Sequence, residues 1–349
     1  MDKIYILHEY GSNNHYNGLQ YLCDHHRIKL IFREFQIFRL VGSGIKHKNI
    51  ARIIKQITNL FFLINLLFTS NKTIVLAIAP YNWRLKLLSY LLRNHKLYWH
   101  TSNTFFDPQK YPFLKNIPQK RIDFWKYFIN FRIEHIFAVT EKTKKCIIDY
   151  FDISPDKISV VSHSYRIDLH PSDIIPSPKN FIYVGRIDSQ KGIEEICDYF
   201  IQNPHLYLTL VGKGNQENYV KNIIKKHTNI KYLGYISDIN KLMTIYQKNA
   251  FFLLNSKQIN YWEELFGQVL IESMACGCIP IAVSHSGPKE IIENNKNGIL
   301  FEENQLKHAI DKATQMTEEK YLSLRNEAII RGRQFYWEKI SERWLSILK

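Results

Sequence analysis

The chain has 349 residues, enough for two domains that each bury a core, and it is 45% hydrophobic and 23% charged. That balance excludes an extended disordered chain, and five scattered cysteines (Cys23, Cys146, Cys197, Cys276, Cys278) without metal-ligand spacing fit reduced thiols better than a disulfide scaffold. The net charge of +15 is uneven: residues 1–170 hold 25 Lys+Arg against 12 Asp+Glu, and residues 171–349 hold 22 against 20. The first half therefore calls for an anionic partner, whether a membrane surface, a phosphorylated acceptor or nucleic acid.

Residues 3–8, Lys-Ile-Tyr-Ile-Leu-His, predict a buried first strand, and the N-terminus has no signal-peptide core, so a cytoplasmic location is expected. The polar loop that follows contains Gly11, Ser12, Asn13 and His15 and leads into a helix from Leu19. A loop at that place in an α/β sheet faces the ligand crevice, so these four residues are candidate acceptor contacts. Residues 45–58 alternate Lys46, Lys48, Arg52 and Lys55 with isoleucines at helical spacing, and the apolar run 60–68 follows. That run is shorter than the ~20 apolar residues a bilayer span needs. A basic helix beside an aromatic-rich apolar segment instead predicts attachment at an anionic membrane surface; alone, residues 60–68 also read as a core helix. Strands are expected at 73–79 and 96–100 around a helix at 84–93, which leaves His100 at a strand end. Further strands are expected at 136–140 and 157–161, and the Pro-rich stretch 168–180 reads as a linker.

The second half starts the pattern again. Strands at 181–184, 206–211, 230–233 and 250–254 run into Gly185-Arg186 through Lys191-Gly192, Gly212-Lys-Gly214, Gly234-Tyr235-Ile236 and Asn255-Ser256. Repeated strand–loop–helix units predict a second parallel, doubly wound domain. From Glu264 to Gly277 a Phe266-Gly267 turn opens a helix through Gln268 and Val269, with Glu264 before it and Glu272 inside it. Such a helix N-terminus offers unpaired N–H groups to a phosphate, and Glu272 can accept ribose hydroxyls. Arg186 and Lys191 are fixed cations beside glycine backbone, the chemistry a diphosphate leaving group needs. No Asp-x-Asp pair is present to hold a nucleotide-bound metal, so no metal site is expected.

With these motifs in order, the chain resembles family 4 of the retaining glycosyltransferases, clearly over residues 181–344 and in outline over 1–170. The Gly185-Arg186…Lys191-Gly192 segment, the Glu264-x7-Glu272 pair and Gly287…Glu290-Ile…Asn297-Gly298 carry the resemblance. Leu265 stands where that family usually has glycine, and Asn255 where it often has proline. The resemblance implies an α/β chain of GT-B architecture, with two facing Rossmann-like doubly wound parallel-sheet domains. They would be residues 1–170 for the acceptor and 171–335 for the nucleotide sugar, with a C-terminal helix, 336–349, crossing back. It implies metal-independent transfer of a sugar, with retention, from a nucleotide-diphosphate sugar (a UDP-sugar favoured) to a glycan acceptor that is lipid-linked, in surface polysaccharide or lipopolysaccharide synthesis. Glu264, Arg186, Lys191 and His100 would be catalytic; Gly185, Gly212, Gly214, Tyr235, Ile236, Phe266, Gly267, Gln268, Val269 and Glu272 would hold the donor. Expected partners are the nucleotide sugar, the acceptor and the inner face of the plasma membrane, without nucleic acid. A nucleotide-sugar 2-epimerase of the same architecture is the alternative, and a basic nucleic-acid-binding protein ranks last.

Overall fold

Strands, all but the sixth followed by a helix, pair side by side within two separate parallel sheets. The structure, a computed structural model, describes residues 2–11, 13–111, 114–258 and 263–348. The chain forms two units: residues 1–164 with 337–349, and residues 165–336.

The first unit runs β1 (Lys3–His8), α1 (Asn17–His25), β2 (Lys29–Glu34), α2 (Ile37–Lys46), α3 (Ile50–Asn65), β3 (Thr73–Ala77), α4 (Leu85–Leu91), β4 (Lys96–Thr101), α5 (Gln119–Phe131), β5 (His135–Ala138), α6 (Glu141–Phe151) and β6 (Ile158–Val160). Its sheet has the order β2-β1-β3-β4-β5-β6, parallel throughout. The connections part on either side of β1, so the unit's crevice opens between the carboxyl ends of β1 and β3. Leu76, Leu97, Trp99 and Ile136 from the strands pack on Leu63, Leu88, Trp125 and Ile147 from the helices.

The second unit runs β7 (Asn180–Val184), α7 (Ile193–Gln202), β8 (Tyr207–Val211), α8 (Glu217–Ile223), β9 (Ile230–Tyr232), α9 (Ile239–Tyr246), β10 (Phe251–Leu254), α10 (Gln268–Ala275), β11 (Ile279–Val283), α11 (Ser286–Ile291), β12 (Ile299–Phe301), α12 (Leu306–Thr314) and α13 (Glu318–Arg333). The order β12-β11-β10-β7-β8-β9 puts the switch point between β7 and β10. The last segment, α14 (Trp337–Ser341) and a 3-10 stretch (Glu342–Leu348), belongs to the first unit. Trp344 is buried there, its ring 4.4 Å from Phe137 and 5.4 Å from His100.

Three local expectations change. Residues 45–58 do not form one helix: the chain turns through Lys48 at φ 50°, and Asn49 caps α3 by accepting the Arg52 N–H at 2.9 Å. The apolar run 60–68 is split, its first residues completing α3. The Pro-rich stretch is not a free linker, because Tyr321 donates to the Pro176 carbonyl at 3.2 Å and Arg325 to that of Ser172 at 3.3 Å.

Candidate active site

The loops after β7, β8, β9 and β10 meet at the switch point of the second unit. Each close approach has a residue-level cause. Gly185 turns around the Tyr183 hydroxyl, which donates to the Arg186 carbonyl at 2.6 Å. Gly212, at φ +147°, lies against the Gly185 carbonyl so tightly that a Cβ would sit 1.7 Å from that oxygen. Its N–H donates to the Gly234 carbonyl at 2.9 Å, and the Ile187 N–H donates to the Lys213 carbonyl at 3.0 Å. Gly214 lies against Ile187 and Asp188. Tyr235 is exposed with the Lys213 ammonium 4.7 Å from its ring centre, and Ile236 is half-buried beside it in sequence.

At the centre, Lys191 Nζ donates to Glu264 Oε2 at 2.5 Å and to Ser256 Oγ at 3.2 Å. Ser256 also donates to Glu264 Oε2 at 3.0 Å. The Lys191 and Glu264 side chains are only 12% and 15% exposed, so this is a sheltered pair with modest screening. Arg186 is placed differently: it is 58% exposed and donates to Asp188 at 2.8 Å and Gln190 at 3.3 Å. Lys191 and Glu264 therefore face each other directly, while Arg186 stands at the rim.

Phe266 is buried, and Gly267 caps α10 at φ +87°, which leaves the first-turn N–H groups of Gln268 and Val269 without helix partners. Glu272 follows one turn in and accepts from Gln268 Nε2 at 3.3 Å. Burial pushes its carboxyl up to about 7, and the Gln268 hydrogen bond opposes that rise only in part. Gly277 leaves the helix at φ +91°, a left-handed backbone that glycine adopts without strain.

Sequence reasoning missed the residues that hold Glu264 from behind. His285 Nδ1 accepts the Glu264 N–H at 3.2 Å, and its Nε2 lies 2.9 Å from Glu303. The Glu264 carbonyl accepts the Gly287 N–H at 2.9 Å. Glu303 is 39 positions from Glu264, and no motif links them. His285, two positions before the recognised Gly287, was the one available signal.

In the first unit, His100 is buried in β4, and Tyr16 Oη lies 3.1 Å from its Nδ1. Its Nε2 has no hydrogen-bond partner among the described residues. Burial, helped by His15 and His8, pushes His100 down to about 3, so it is neutral. His15 stacks on His163 at 4.2 Å, and burial pushes it down to about 4. Gly11, at φ +77°, abuts the Glu34 carboxylate, and Asn13 is exposed. Ser12 lies outside the described residues. The crevice also contains Glu9, unnoticed in the sequence, which accepts from Asn82 Nδ2 at 2.5 Å and the Ala79 N–H at 3.3 Å, and so ties the end of β1 to that of β3.

Comparison with known proteins adds likenesses in sequence and in fold. Residues 168–335 match the model described as glycosyl transferases group 1. An uncharacterized glycosyltransferase of Haemophilus influenzae is 26% identical over 178 residues, 49% of each chain. A Campylobacter jejuni protein, N-acetylgalactosamine-N,N'-diacetylbacillosaminyl-diphospho-undecaprenol 4-alpha-N-acetylgalactosaminyltransferase, is 27% identical over 215 residues, 58% of this chain and 56% of its own. The chain thus spans about half the length of the curated relatives it matches. Among solved structures, Anabaena HepE in complex with UDP and glucose superposes with a TM-score of 0.66 at 17% identity, covering 100% of this chain and 99% of that one. A Rickettsia africae glycosyltransferase gives 0.68 at 19% identity, with the same coverage. These likenesses establish the fold, an α/β fold shared with GT-B glycosyltransferases, and residues 168–335 within it are similar to the glycosyl transferases group 1 model.

Proposed function

We propose that the protein transfers a sugar, with retention of anomeric configuration, from a nucleotide-diphosphate sugar, a UDP-sugar favoured, to a lipid-linked glycan acceptor in surface polysaccharide or lipopolysaccharide synthesis. The observation that carries the reading is the sheltered Lys191–Glu264–Ser256 group at the switch point, beside the open N-terminus of α10. As the glycosidic bond breaks, its electron pair passes to the diphosphate oxygen. Lys191, Arg186 and the N–H groups of Gln268 and Val269 would hold that growing negative charge, which lets the reaction proceed without a metal. Glu264 would balance the positive charge at the anomeric carbon. The acceptor hydroxyl then attacks from the leaving-group face and gives its proton to the departing phosphate oxygen. Glu272 would accept the ribose hydroxyls, and Tyr235 with Ile236 would border the base. For His100 the assignment to the reacting sugar rests on resemblance.

Two observations support the acceptor class. The Campylobacter jejuni relative is named for a diphospho-undecaprenol substrate. In the first unit α3 is apolar outside, with Ile50, Ile54, Ile57, Phe61 and Ile64 all exposed, next to exposed Lys46, Lys48 and Arg52. No described helix is long and apolar enough to cross a membrane, so this face would lie on the bilayer surface.

The test is release of nucleotide diphosphate from a panel of nucleotide sugars. Lys191→Ala and Arg186→Ala should each lower turnover about 10²-fold, and EDTA should leave it intact. Near-normal turnover in both variants would remove the diphosphate assignment, and loss of activity in EDTA would remove the metal-free mechanism.

A further inference from the structure

The Lys191–Glu264 pair can act only if the Glu264 backbone is held, and the loop that delivers it has no regular structure at its described ends. Those ends, Lys257-Gln258 and Glu263-Glu264, are both fastened to one small group of side chains. His285 is buried, its Nδ1 accepting the Glu264 N–H at 3.2 Å and its Nε2 lying 2.9 Å from Glu303 Oε1. The same carboxylate oxygen accepts the Gln258 N–H at 2.7 Å. On the far side, Glu263 accepts the Ser286 N–H at 3.1 Å, and Gly287 donates to the Glu264 carbonyl.

These partners decide the tautomer of His285. An N–H points at Nδ1, so Nδ1 must be the lone-pair nitrogen, and the ring proton must sit on Nε2, where a carboxylate receives it. We infer that His285 and Glu303 are positioning residues for Glu264: a carboxylate-fixed imidazole that holds the Glu264 amide and, through Gln258, the other end of the loop. The inference rests on the function proposed above, in which Glu264 faces the donor sugar.

Charge supports the arrangement. Burial works to raise the Glu303 carboxyl, but hydrogen bonds from His285 and the Gln258 N–H, together with the Lys257 charge, hold it below its usual value. Lys257 itself pairs with Glu195, so Glu303 remains available to the imidazole.

The experiment uses three variants and two readouts. His285→Ala removes the acceptor, His285→Asn keeps an acceptor near the Nδ1 position, and Glu303→Gln keeps the hydrogen bonds but removes the charge. By hydrogen exchange, the segment around Glu264 in His285→Ala should exchange about tenfold faster, as loss of one hydrogen bond implies, with the rest of the second unit unchanged. In donor hydrolysis kcat should fall about 10²-fold with donor KM nearly constant, because a misplaced Glu264 affects the transition state alone. His285→Asn should restore most of both losses. Glu303→Gln should lower kcat less than His285→Ala does, since the ring keeps a hydrogen-bond acceptor and loses only the charge behind it. Unchanged exchange and kcat in His285→Ala would overturn the inference. So would a His285→Asn variant as impaired as His285→Ala, which would mean the ring serves packing only. A wild type inactive on every nucleotide sugar would instead defeat the proposed function, while the exchange measurement would still judge the clamp.

Discussion

Glu264 and Glu272 are eight positions apart and differ in what surrounds them. Glu264 touches a cation and a hydroxyl, whereas Glu272 has one amide and a buried setting that pushes its carboxyl up to about 7. Their replacement should therefore separate kinetically. Glu264→Ala should lower kcat more than donor affinity, and Glu272→Ala should mainly raise donor KM, as a ribose contact is made equally before and at the transition state. The raised carboxyl adds a pH dependence of known sign. Glu272 gains its charge as pH rises through about 7, and the ionised form accepts ribose hydroxyls more strongly. Donor KM should accordingly fall on going from mildly acid to mildly alkaline pH, and Glu272→Gln should flatten that slope. Because the folded state holds this proton more tightly than the unfolded chain does, the same group should lower stability as pH rises from about 4.5 to about 7, with no further change above. A donor KM that is flat across neutrality in the wild type would remove Glu272 from the ribose.

At the scale of elements, the loops proposed to hold the donor owe their shape to glycines that are not equivalent. Gly212 and Gly234 both have positive φ, +147° and +68°, yet a Cβ at Gly212 would sit 1.7 Å from the Gly185 carbonyl oxygen while one at Gly234 meets nothing within 4 Å. Gly212→Ala must push the β7 and β8 loops apart and should cost more than about 2 kcal/mol, whereas Gly234→Ala should cost about 1 kcal/mol, the strain of its φ alone. Urea unfolding compares them directly, and equal losses would show that the close approach is not what demands glycine. This difference also explains what could be read from sequence. Central strands such as β4, β7 and β10 have neighbours on both sides, so their runs are apolar and visible. β2 went unseen because it is an edge strand whose Lys29 and Arg33 interrupt the run. The Glu264–Gly277 element was legible because glycine marks both ends of its helix. The contact of Lys191 with Glu264, 73 positions away, exists only once β7 and β10 are side by side, and that of His285 with Glu303 only once β11 and β12 are. The break at Lys48 was hidden because a positive φ at lysine has no sequence signature.

Across the whole molecule, most of the net charge belongs to the first half, and one helix there is reversed in its polarity over its first three turns, before Phe62 and Leu63 join the core. Gln56 and Asn59 of α3 point inward and donate to the buried Glu34 carboxylate at 2.6 and 3.4 Å, while isoleucines and Phe61 point out. A helix packed only for folding would place those groups the other way round. The anionic bilayer proposed above would satisfy both features, taking the apolar stripe into its interface and attracting the exposed lysines and arginines. Lys55 is the exception among these cations. It lies 2.7 Å from Glu34, which is nearly buried, so reversing its charge would strand a carboxylate and damage the fold. The informative variant is therefore Lys46, Lys48 and Arg52 changed together to glutamate, with Lys55 kept. At about 1 kcal/mol for each cation near the surface, loss of the three should weaken binding to phosphatidylserine vesicles by about 10²-fold or more. Hydrolysis of the donor in solution should be unchanged, because no donor residue lies on α3. Ile54→Ser with Phe61→Ser should also weaken vesicle binding, but with the salt dependence of the wild type preserved, since it removes apolar insertion and leaves the charges. Wild-type protein that stays in solution beside such vesicles at physiological salt would rule out the membrane, and the acceptor would then be a soluble glycan.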